Sequence, residues 1–178
     1  MAAMVSESAP GTDGSSSNGA GPISVNFRSS CSHDEMNPKR RSTMEDCHRI
    51  IPALDGDANT SYFGVYDGHG GRQIVDFLEN ALENNIAEEL RQPDAALVPE
   101  RLARAFLITD MQSRRADITT SGATAVCCLI QHEPSSGTRT LTCATKPCVQ
   151  FIHSHVTHSH ASLSRTRSHA VTLRHSGN

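Results

Sequence analysis

Tryptophan is absent from this chain, and Phe and Tyr together make up only 4% of its 178 residues. The apolar fraction is 37%, below the ~45 to 50% of an ordinary globular domain. These shortages exclude a large core and predict one modest folded unit with unstructured ends. No stretch reaches the ~18 consecutive apolar residues of a membrane helix, and Met1 to Pro10 has neither the basic region nor the apolar run of a secretory signal. The expectation is a soluble protein with no membrane partner, cytoplasmic and/or nuclear. A formal net charge of -3 gives no general attraction to nucleic acid. The six cysteines (Cys31, Cys47, Cys127, Cys128, Cys143 and Cys148) show no C-x-x-C spacing, so free thiols are expected. Acidic residues are missing altogether after Glu133.

Residues 1–22 are mostly Ser, Gly and Ala, a composition that cannot offset chain entropy by apolar burial. They read as a disordered leader. A folded unit is expected over 23–145, with a short strand from Ile23 to Cys31. The segment Arg41 to Ile51 runs from charged to apolar and stops at Pro52, which predicts a strand with polar groups at its mouth. Asp55-Gly56-Asp57-Ala58-Asn59 is a turn sequence, so this strand and a second over Ser61 to Tyr66 form an antiparallel hairpin. After Gly70-Gly71 the period becomes helical: Ile74, Phe77, Leu78, Ala81, Leu82 and Ile86 fall on one face.

A second helix is predicted from Pro99 to Arg115. Leu102, Ala105, Phe106 and Met111 line one side of it, and Glu100–Arg104 and Asp110–Arg114 are i,i+4 pairs. Gly122 to Gln131 reads as a buried strand, joined by Glu-Pro-Ser-Ser-Gly to a partner strand over Thr138 to Thr145. From 146 to 178 the chain is rich in His, Ser and Arg and shows no sustained period, so a disordered tail is expected.

The chemistry gathers at a strand end. In Tyr62-Phe63-Gly64-Val65-Tyr66-Asp67-Gly68-His69-Gly70-Gly71, Asp67 and His69 lie two apart and share a face of the strand. Glu45, Asp46 and Asp67 are three carboxylates that the sheet can bring to one place, and like charges there call for cations. Magnesium or manganese suit such oxygen donors, and Gly68 leaves its main-chain carbonyl open to approach. A pair of such ions ~3.5 to 4 Å apart can bridge and activate a water. Arg41 offers a planar fork for two phosphate oxygens, and His69 can give a proton to a departing alkoxide. Together these residues sketch metal-assisted phosphoester hydrolysis.

Three segments, Arg41-Ser42-Thr43-Met44-Glu45-Asp46, Phe63 to Gly71, and Ser121-Gly122-Ala123-Thr124-Ala125-Val126, resemble the metal-dependent type 2C protein serine/threonine phosphatases. The likeness covers roughly Ser24 to Ala144 and marks 23–145 as the N-terminal part of that catalytic domain. It implies an α+β fold, part of a four-layer sandwich of two antiparallel β-sheets flanked by helices. It also implies hydrolysis of phosphoserine and phosphothreonine with two Mg2+ or Mn2+ ions. By resemblance Asp67 and the Gly68 carbonyl ligate metal, Glu45 and Asp46 hold water on the metals, Arg41 binds phosphate, and His69 is the acid. The partners implied are phosphorylated proteins, protein kinases among them.

The resemblance also predicts a Gly-Asp-Ser/Ala-Arg turn after Ala144, where the chain reads Thr145-Lys146-Pro147-Cys148-Val149-Gln150. Two further metal-binding aspartates expected downstream have no counterpart. This departure favours a second reading, a truncated and inactive product that binds substrates or regulators. A third, remote reading is metal binding by the tail, through His153-x-His155-x-x-His158-x-His160.

Overall fold

A computed structural model describes residues 26–27, 30–36, 39, 43–149 and 169–176. Five antiparallel strands form a single sheet in sequence order: β1 (Cys47–Ile51), β2 (Thr60–His69), β3 (Gly122–Glu133), β4 (Thr138–Val149) and β5 (His169–Ser176). Two helices, α1 (Gln73–Arg91) and α2 (Val98–Arg115), pack together on one face of it. Among the described residues there is one sheet and one helical layer; the second sheet of the expected sandwich is not among them.

The β1–β2 hairpin turns where its sequence predicted. Asp55 and Gly56 both take positive φ, and the Asp57 carboxylate accepts from the Asn59 N–H at 2.9 Å and the Thr60 hydroxyl at 2.7 Å. From Tyr62 onward β2 alternates. Tyr62, Gly64, Tyr66 and Gly68 are buried toward the helices, while Phe63, Val65, Asp67 and His69 face the other way. The Tyr62 and Tyr66 hydroxyls meet at 2.7 Å, passing over Gly64, where a Cβ would lie only 2.6 Å from the Tyr66 oxygen. Burial pushes both phenols above their ordinary pKa, so both stay neutral.

α1 buries Ile74, Val75, Leu78, Leu82 and Ile86, the face its period predicted. Arg49 on β1 donates from Nε and Nη2 to the two Glu83 oxygens at 2.7 and 3.1 Å, which fastens helix to strand. The α1–α2 connection wraps around the buried Arg101, whose guanidinium donates to the carbonyls of Glu89, Gln92, Asp94 and Ala96.

The second helix departs from the expected face. Met111 is 55% exposed, and Thr109 and Ser113 are buried in its stead. Thr109 can enter the core because its hydroxyl donates to the Ala105 carbonyl at 2.8 Å and accepts from the Asn85 amide. Of the two predicted ion pairs, Asp110–Arg114 forms at 3.3 Å. Glu100 instead accepts from the Leu97 N–H, and Arg104 pairs with Glu89 and Asp94.

Two further expectations change. Asn26 and Phe27 form a bend, and the described residues from 30 to 36 have no strand; the Asn26 amide donates to the carbonyls of Asn59 and Ile130, closing that end of the sheet. The tail is not structureless throughout, because His169–Ser176 pairs antiparallel with β4 along Thr138 to Thr145. Its Ala-Val-Thr-Leu run has strand-forming residues, and β4 would otherwise present an open edge. The four histidines from His153 to His160 lie outside the described residues, as do residues 1–22.

Candidate functional site

The site lies where β1, β2 and α1 begin or end together. Cys47 pairs with Tyr66, so the two residues before it come alongside Asp67 and Gly68. The contact is close: a Cβ on Gly68 would stand 2.3 Å from the Glu45 main-chain oxygen and 2.7 Å from a Val75 methyl. Only glycine lets the Met44–Asp46 segment lie against the strand. Arg72 holds that segment from the other side, donating to the Met44 carbonyl at 2.6 Å while its fork also grips Asp76 at 2.9 Å. The Thr43 hydroxyl donates to a Glu45 carboxylate oxygen at 3.3 Å.

The third sequence motif reaches the same place. Ser121 Oγ accepts the Ile74 N–H at 3.1 Å, supplying the first turn of α1 with the partner that Arg72, at the N-cap, does not provide. Gly70, with φ of +74°, leaves no room for a Cβ beside the Thr120 carbonyl oxygen, which would be 2.5 Å away. Asp67 and His69 project from β2 as exposed side chains, opposite Thr124 and Gly122 of β3. Glu45, Asp46, Asp67, Gly68 and His69 are therefore neighbours, whereas Arg41 lies outside the described residues.

Sequence reasoning missed Arg72 as the clasp of this site. The signal was available: an arginine directly after Gly70-Gly71 and four residues before Asp76 sits at a helix start, where it can reach back. Nearby, His48 accepts or donates at 2.6 Å with the Ser32 hydroxyl and meets Asp34 at 3.1 Å. The order of atoms is that of a Ser–His–Asp relay, but Ser32 is solvent-exposed, and the three groups act as a tether of the 30–36 segment to β1.

The donors suit a hard cation in kind. Asp46 Oδ1 is buried with no hydrogen-bond partner among the described residues, and an unpaired buried acceptor costs ~1 to 3 kcal/mol, more when charged. A divalent ion or its water shell would satisfy it. The set is incomplete, however: among the described residues no group of three His, Cys, Asp or Glu side chains is placed to hold an ion.

Comparison with known proteins decides the family. A family model described as protein phosphatase 2C matches residues 31–146, well over half of the chain. The chain belongs to the protein phosphatase 2C family. It is similar to "Probable protein phosphatase 2C 42" of Oryza sativa subsp. japonica, 53% identical over 49 residues that cover 28% of this chain and 14% of the relative. It is 36% identical over 95 residues to "Probable protein phosphatase 2C 14" of Arabidopsis thaliana, covering 53% of this chain and 21% of the relative. Protein phosphatase 2C homolog 1 of Saccharomyces cerevisiae is 28% identical over 112 residues, covering 63% of this chain and 40% of that protein. The chain thus spans well under half the length of these relatives. The family is one of metal-dependent phosphatases.

Proposed function

We propose that this chain carries one half of a protein serine/threonine phosphatase centre, the half that positions water and protonates the leaving group. Asp67, the Gly68 carbonyl, Glu45 and Asp46 would hold Mg2+ or Mn2+, two ions in the family pattern, directly or through water. Such ions, when bound, neutralise phosphate charge and make water a stronger nucleophile. Arg41 would grip two phosphate oxygens. His69, exposed on the same strand face as Asp67, would give its proton to the serine or threonine oxygen as the ester bond breaks. The observation that carries the reading is the packing of the Glu45–Asp46 backbone against Gly68, with the orphaned Asp46 oxygen beside it.

Manganese-dependent release of phosphate from a phosphothreonine peptide, measured for the chain beside Asp67→Asn, tests this. Manganese-dependent turnover that falls at least ~10 to 100-fold in the variant supports the assignment. Equal turnover by both proteins would sink it. A second reading, binding without turnover, is favoured by the absence of any acidic residue after Glu133, which removes further carboxylate ligands from this chain. Phosphopeptide binding by both proteins with no phosphate released would select it.

A further inference from the structure

The sheet face turned away from the helices carries a second reactive group that the phosphatase reading does not use. Cys128 on β3 and Cys143 on β4 are directly opposed partners in the antiparallel ladder, both are free, and both are half-buried. Directly opposed residues in such a ladder have Cα atoms ~4.5 or ~5.5 Å apart, both inside the ~4.4 to 6.8 Å that a disulfide spans. Alternation places their side chains on the same face. Cys127, one residue away, is fully buried on the helix side.

We propose that Cys128 and Cys143 form a dithiol redox site, oxidised by a hydroperoxide to a disulfide that fastens β3 to β4. One thiol loses its proton to solvent and attacks a peroxide oxygen as the thiolate, the O–O bond breaks, and the departing hydroxide (or alkoxide) takes up a proton, leaving a sulfenic acid and one water (or alcohol). The second thiol then attacks that sulfur, the S–S bond forms, and the sulfenic oxygen leaves as water. Two thiols are oxidised and one hydroperoxide is reduced. Burial pushes Cys128 up to about 12, so this thiol is protonated at neutral pH and reacts slowly, since the thiolate is the nucleophile. Cys127 is pushed higher still by its burial and faces the core, so it stays out of the reaction.

The test is peptide mapping by mass spectrometry of the 178-residue chain after hydrogen peroxide, with free thiols alkylated before digestion and a parallel sample oxidised in urea. In native buffer the Cys128–Cys143 link is expected at more than ten times the yield of Cys127–Cys143, and dithiothreitol should reverse it. In urea the two links should approach equal yield. Cys127→Ser should keep the native link and Cys128→Ser should lose it. Comparable yields of the two links in native buffer, or an undiminished link to Cys143 in Cys128→Ser, would overturn the proposal.

Discussion

The two faces of the sheet use the same strands for opposite purposes. Toward the helices, Tyr62, Tyr66, Ala125, Cys127 and Leu129 are wholly buried with Leu78, Leu82 and Phe106. One residue along each strand, the other face carries Val65, Asp67, His69, Val126 and Cys128, all partly or fully exposed. Because strand side chains alternate with period two, a one-residue slip would exchange these sets. Burial on the first face therefore fixes the register that holds Asp67 and His69 out to solvent on the second. Stability and chemistry are coupled through register, although they occupy opposite sides.

The contrast can be broken hardest from the covered side. Leu82→Ala, at a fully buried position of α1, should cost ~2 to 5 kcal/mol, read as a shift in urea midpoint. A cost below ~1 kcal/mol would mean that the helices do not cover this face in solution. Next comes the junction of the two faces. Gly68→Ala places a Cβ 2.3 Å from the Glu45 main-chain oxygen, and this overpacking should cost ~1 to 3 kcal/mol. Any manganese binding at the site should weaken with it, since the Met44–Asp46 segment must move. Retention of both wild-type stability and wild-type manganese affinity, measured by calorimetry, would separate Glu45 from Gly68.

The buried phenols sharpen the comparison through pH. Tyr62 and Tyr66 are the only tyrosines in the chain, so tyrosinate absorbance reports this pair alone. Desolvation raises both, while in the unfolded chain both titrate near 10.0. The native state thus keeps protons that the unfolded state releases. Their contribution to stability is fully present below pH 10 and declines as pH rises beyond it. Tyrosinate should appear only together with unfolding, seen by circular dichroism. Gradual ionisation near pH 10 in a folded chain would show that the pair is open to water. Tyr66→Phe, which leaves the Tyr62 hydroxyl without its 2.7 Å partner, should cost ~1 to 2 kcal/mol.

The elements with strong periodicity were readable in advance. Ile74, Leu78, Leu82 and Ile86 identify α1 because apolar burial dominates its energetics, and the turn at Asp55-Gly56 identifies the hairpin because positive φ selects those residues. What escaped prediction depends on polar groups finding distant partners. Thr109 is buried because its hydroxyl bonds within its own helix, Arg104 leaves Glu100 for Glu89 and Asp94, and Arg101 organises a loop through four carbonyls. β5 was hidden for a different reason. Its strand run of Ala170 to Leu173 is short, and the histidine-rich sequence around it masks a period that only the free edge of β4 makes useful.

The smallest effect is also the sharpest check on the open face. Val126 is 45% exposed there and pairs with Val65 and Thr145. Val126→Thr keeps the β-branched shape and strand preference while adding a hydroxyl that water can satisfy. Its cost should stay within ~0.5 kcal/mol, as for exposed positions generally, at both low and high protein concentration. The same substitution on a covered face would bury an unpaired hydroxyl and cost ~1 to 3 kcal/mol. A penalty of that size for Val126→Thr, growing with protein concentration in urea titrations, would mean that a second copy of the chain covers this face. The difference between the two faces would then belong to the isolated chain and not to the protein in solution.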